Sequence, residues 1–123
     1  MQSFRAVVGM CAGLMLILSA GAHSLAGWPG LRAQLLAAQV PVDLLAGLGM
    51  GWHFGGASML VFGVLMFALF IARFRGERVA AWPAMLIGAM YVAFAAWVTV
   101  QNGWDAFYLV FLVPGMLLLA AAL

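Results

Sequence analysis

From Leu44 to Ala72 the chain carries no aspartate, glutamate, lysine or arginine, and no other feature restricts its folding as much. A run of this length exceeds the roughly 20 apolar residues needed to cross a hydrocarbon core of about 30 Å. In water it would need a polar coat that the rest of the chain does not own. Of the 123 residues, 68% are hydrophobic and 7% charged, lysine is absent, and the mean hydropathy is +1.19. Three acids and five arginines do not cover a soluble domain of this size. The sequence therefore predicts lipid as the solvent. Helices that satisfy their own backbone hydrogen bonds are then the expected fold.

In chain order the first span is expected over about residues 4–22. Arg5 and the small residues Ala20-Gly21-Ala22 resemble the parts of a cleavable leader, but the segment reads as a permanent helix. Gly9 and Gly13 form a GxxxG pair of the kind that lets helix backbones approach closely in lipid. Gly27-Trp28-Pro29-Gly30 reads as a turn. Leu31, Leu35, Leu36 and Val40 then alternate with Arg32, Gln34 and Gln39, which predicts a short helix lying in the headgroup plane. Pro41 suits a helix start, and Asp43 beside it is favoured by the positive end of the helix dipole. The second span is expected over 48–72, the third over 79–100 with Pro83 in its first turns, and the fourth over 104–123 with Pro114 inside it. The resulting fold class is all-α, one transmembrane domain over residues 1–123, a four-helix up-down-up-down bundle with the short interfacial helix between spans one and two.

Arg5, Arg73, Arg75 and Arg78 fall at one end of this arrangement and only Arg32 at the other. The positive-inside rule then places both chain termini in the cytoplasm of a bacterial inner membrane. The arginines are too few and too clustered for a nucleic-acid face. Cys11, the single cysteine, allows no internal disulfide; inside an apolar run it reads as a small buried side chain. The methionines, spread over every span, read as core filler.

Both histidines are expected at the non-cytoplasmic end, His23 at the close of the first helix and His53 within the second. Gly49, Gly56 and Ala57 lie at helical neighbour positions of His53, so its face is stripped of bulk. Such a slot would take a flat group such as haem b, with His53 and His23 as axial ligands. Met50, three residues before His53, adds a soft thioether that suits copper. A quinone or lipid is a further reading. The opposing explanations need no ligand. A histidine at a helix C-terminus is favoured by the dipole, and Trp52-His53 would serve as an interfacial anchor hydrogen-bonded to Asp43 or Asp105. Gly47, Gly51 and Gly55, repeating every four residues, would serve helix packing. No hydrolase, phosphate-binding or dinucleotide fingerprint occurs, which argues against those enzyme classes.

The run Gly21-Ala22-His23-Ser24-Leu25, followed by a second histidine entering span two, resembles a pattern in small bacterial four-helix inner-membrane proteins. It covers the first half of the chain and implies fold and location, but no activity. Two functions follow as expectations. One is a non-enzymatic accessory or assembly subunit, its glycine faces packed against other membrane subunits or a second copy. The other is an electron-transfer protein holding haem or metal through His23 and His53.

Overall fold

The structure is a computed structural model and describes residues 2–123. It is all-helical: α1 (Gln2–Gly21), a π-helical turn (Ala22–Gly27), α2 (Trp28–Ala37), α3 (Val42–Phe74), α4 (Trp82–Asn102), a 3-10 turn (Ala106–Tyr108) and α5 (Leu109–Ala122). Three helical stretches are long and apolar enough to cross a membrane, Gln2–Ala37, Val42–Phe74 and Trp82–Asn102; Ala106–Ala122 is a shorter apolar helix.

The first stretch corrects the sequence reading. No turn forms at Gly27-Trp28-Pro29-Gly30, and the amphipathic segment is not a separate helix. Helix runs without a break from Gln2 to Ala37. Pro29 brings no N–H and its ring crowds the preceding turn. The wide turn at Ala22–Gly27 comes just before it, so that Pro29 falls in the first turn of α2, where its missing N–H costs little. The chain reverses later, at Ala38–Pro41. There Gln39 N–H donates to the Leu36 carbonyl at 3.0 Å and Val40 N–H to the Leu35 carbonyl at 3.1 Å. This is the Schellman closure of a helix, and its left-handed position is filled by Gln39 at φ 56°. The same closure ends α3, where Gly76 takes the left-handed position at φ 86°. Pro41 is the N-cap of α3 and Asp43 lies in its first turn.

Helices α1 and α3 are antiparallel and share the longest seam; α5 packs on the other side of α1, and α4 on α5. Helices α3 and α4, consecutive in the chain, barely touch. On the α1–α3 seam buried residues of each helix recur every seven positions, Ala6, Gly13 and Ala20 on α1 and Gly49, Gly56, Gly63 and Phe70 on α3, all small except Phe70. Seven residues are nearly two helical turns, so such a repeat stays on one face. A methyl group added at Gly13 would sit 2.7 Å from the Phe67 nitrogen and 3.0 Å from the Gly63 oxygen. Gly9, its GxxxG partner, lies under the Phe70 ring. A second close crossing joins α4 to α5, where methyls added at Gly88 and Gly115 would each meet the other's oxygen, at 2.9 and 3.0 Å.

The core collects on the arginine side of the bundle: Leu16, Met66, Phe70, Ala84, Ile87, Tyr91, Leu118 and Ala121 form one buried cluster. Arg73, near the end of α3, donates from Nη1 to the Ala121 carbonyl at 2.8 Å. It thereby satisfies an orphan acceptor in the last turn of α5 and pairs a cation with the negative helix end. Two expectations about side chains fail. Cys11 is exposed, on a part of α1 that neither α3 nor α5 covers. Of the methionines among the described residues only Met66 is fully buried, whereas Met50, Met85, Met90 and Met116 are exposed.

Candidate functional site

The site grows out of the π-helical turn, at the end opposite the arginine cluster. His23 lies in it, half-buried, and faces Trp52 of α3. Nε2 of His23 stands 3.0 Å from the Trp52 carbonyl. A carbonyl only accepts, so Nε2 carries the proton and donates. In return Trp52 Nε1–H donates to the His23 carbonyl at 2.8 Å. The two rings stack at 4.2 Å with an interplanar angle of 6°. Each side chain thus holds the other's backbone while the ring faces are in contact. This reciprocal clasp joins the first helix to α3 where the glycine seam loosens.

Trp28 extends the cluster. Its ring lies 6.2 Å from Trp52 and packs edge-on against His53 at 5.5 Å. The order of rings across the seam is therefore His23, Trp52, Trp28, His53. The structure brings both histidines to the same end but to different surfaces. His23 lines a cavity with Ser19 and Trp52 that extends to Phe107 and Phe111 on the α5 side. His53 is exposed and lines a separate shallow recess with Gly21, Ser24 and Gly56. No single cavity presents both imidazoles.

The slot expected around His53 is also filled. The Trp28 indole covers Gly49, with Cζ2 2.9 Å from where a methyl would stand, and the Ser24 hydroxyl lies against Gly56. Met50 is exposed. Among the described residues no group of three or more histidine, cysteine, aspartate or glutamate side chains could hold a metal ion.

Other readings change as well. His23 does not sit at a helix C-terminus, because the helix continues to Ala37, and the dipole account of that residue is withdrawn. Neither histidine bonds an aspartate among the described residues. The Asp105 carboxylate instead accepts from Phe107 N–H at 2.7 Å and caps the 3-10 turn. Of the proposed packing stripe, Gly47 and Gly51 face open space, whereas a methyl added at Gly55 would stand 3.5 Å from His23 Nε2. A four-residue repeat turns by about 40° per step on an α-helix, so Gly55 lies about 80° round from Gly47 and reaches the His23 side, while Gly47 and Gly51 stay on the outer face. Reading the glycines at seven-residue spacing would have found the true seam. The π-helical turn and the His23–Trp52 clasp had no signal in the sequence beyond the residues themselves.

No protein-family model, curated protein or solved structure matches the chain.

Proposed function

We propose that this chain is a multi-pass protein of a bacterial inner membrane, with both termini cytoplasmic, acting as a non-enzymatic accessory subunit of a larger membrane assembly. The three long apolar helices support membrane insertion. Helix α4, at 21 residues, is about 32 Å long and matches a hydrocarbon core of about 30 Å. The clustering of Arg5, Arg73, Arg75 and Arg78 at one end supports the orientation. It also supports an up-down-up-down passage of the four helices across the bilayer.

The observation that carries the subunit reading is the outer face of α3. Of its 33 residues only six are buried by the rest of the chain. Gly47 and Gly51 have nothing within 4 Å of an added methyl, beside Met50 and Phe54 at 72% and 76% exposure. A small-residue strip flanked by large apolar side chains is a surface against which another helix packs in lipid. The chain's own helices leave it free.

The test is native-membrane pull-down of Gly51→Leu against the wild type. Loss of co-purifying subunits or of the self-assembled species is expected, with membrane insertion intact; an unchanged assembly would sink the reading. A colourless preparation with no bound metal would remove the electron-transfer alternative. A Soret band lost in His53→Ala would establish that alternative instead.

A further inference from the structure

We propose that the cavity beside His23 binds the ring of a quinol-type amphiphile, a flat neutral head bearing hydroxyl groups, whose hydrocarbon tail leaves between α3 and α4. The proposal rests on the membrane placement above, because the tail needs an apolar solvent, but not on the partner subunit.

The chamber has a volume of about 280 Å³, just below the roughly 300–1,000 Å³ of drug-sized ligand sites. It holds a ring head but not a whole lipid. It shares Met59 and Phe111 with a second apolar space of about 400 Å³, bounded by Phe54 and Phe62 of α3 and by Met90 and Phe94 of α4. That space is where α3 and α4 fail to meet. A head in the chamber therefore has an adjoining apolar route for a tail.

The polar groups specify the head. The Cδ2–Nε2 edge of His23 faces α3: Cδ2 is 3.4 Å from a methyl built on Gly56 and Nε2 is 3.5 Å from one on Gly55. The opposite edge, which carries Nδ1, is turned away from α3. With the proton on Nε2, Nδ1 of the neutral ring is an acceptor, and it has no protein partner among the described residues. Its natural complement is a hydroxyl. Ser19 stands one helical turn below on the same face and lines the same chamber. Ser58 and Thr99 each donate to the carbonyl four residues back, at 2.9 and 2.8 Å; Ser19 has no such bond, so its hydroxyl is left for an occupant. The remaining walls are apolar, with the aromatic rings of Trp52, Phe107 and Phe111 among them. Aromatic walls favour a flat ring. No charged side chain lines the chamber, so a phosphate or ammonium head would be desolvated without a counter-charge. A neutral hydroxylated ring avoids that cost.

The test is equilibrium binding, under anaerobic conditions, of a decyl-tailed benzoquinol to the full chain in detergent, beside its dimethyl ether, which keeps the ring and tail, carries a methyl on each oxygen and cannot donate. The quinol is expected to bind at least tenfold more tightly. His23→Phe keeps a stacked ring, lacks Nδ1, and should reduce the quinol to the level of the ether. Met59→Trp blocks the passage between the two spaces and should weaken both ligands at least tenfold. His53→Phe, on the other side of the seam, should change neither. Should His23→Phe fail to fold, Ser19→Ala and Met59→Trp decide the matter; the former should weaken the quinol several-fold at unchanged helix content. Equal binding of quinol and ether would overturn the proposal. So would quinol binding that none of these substitutions alters, or a phospholipid in the α3–α4 gap that quinol does not displace. Binding is measured in detergent, so its failure is distinct from failure of the membrane placement, which carbonate extraction of cell membranes reads separately.

Discussion

The arginine end and the histidine end of this bundle are built from the same helices and close in opposite ways. Toward Arg73, residues of α1, α3, α4 and α5 converge on Leu16, Met66, Phe70 and Leu118, all at 0% exposure. Toward His23 the contacts between helices are rings and hydrogen bonds, and apolar cavities open between them. The difference follows from residue size. Glycine at a crossing lets two backbones touch and leaves no volume for anything else. An indole stacked on an imidazole holds the helices together while spacing them apart. A bundle can thus be sealed at one end and receptive at the other without any change of architecture.

The contrast can be broken most forcefully at the sealed seam. Gly63→Leu forces a side chain into space where an added methyl already stands 2.9 Å from the Gly13 oxygen and 2.8 Å from the Ile17 nitrogen. A loss of more than about 3 kcal/mol is expected, since backbone on both sides cannot yield. Unfolding in mixed detergent micelles reads this, and a near-neutral result would mean the crossing is looser than described.

The next largest effect compares the two ends directly. Leu118→Ala empties a fully buried position and should cost about 3 kcal/mol, whereas Val110→Ala, at the edge of an existing cavity, should cost below about 1 kcal/mol. Equal costs would erase the distinction between a sealed and a receptive end. Trp52→Phe tests the clasp. It removes the N–H that the His23 carbonyl accepts and shrinks the stacked surface, for about 1–2 kcal/mol. Faster hydrogen exchange confined to Ala22–Gly27 is its expected signature; exchange spread evenly along the chain would speak against a local role. The smallest effect has the other sign. Gln39 occupies a left-handed backbone position, so Gln39→Gly should stabilise the turn by about 0.5–1 kcal/mol, and a destabilised variant would mean that the Gln39 side chain contributes something the backbone geometry does not reveal.

Much of the fold was legible. Helix α4 falls close to the limits expected for span three, and α3 ends close to that expected for span two, because arginine, proline and glycine punctuate the chain there, although α3 begins at Val42, ahead of the expected residue 48. The first connection was misread, since Gly27 and Pro29 carry the usual marks of a turn and Ala38-Gln39 does not. A π-helical turn that places Pro29 in the first turn of α2 is a cooperative property of the surrounding helix, and no single residue announces it. The candidate site was legible in part. His23 and His53 were rightly assigned to one end, but imidazoles five residues from Trp28 and next to Trp52 have several ring partners to choose from. Gly49 and Gly56 seemed to leave a slot because their own neighbours on α3 are small. The groups that fill it, Trp28 and Ser24, come from another helix.

The sequence alone determined the helical content, the apolar length of the helices and which end of the bundle carries the arginine cluster. Those follow from summed hydropathy and from backbone groups that must bond within their own helix wherever water is excluded. Only the tertiary structure decided which glycines face a neighbour, that α3 and α4 part, and that His23 gives one nitrogen to Trp52 and keeps the other free. Rotation about a helix axis and the spacing of two helices depend on every side chain along the seam at once, and no local pattern contains that sum.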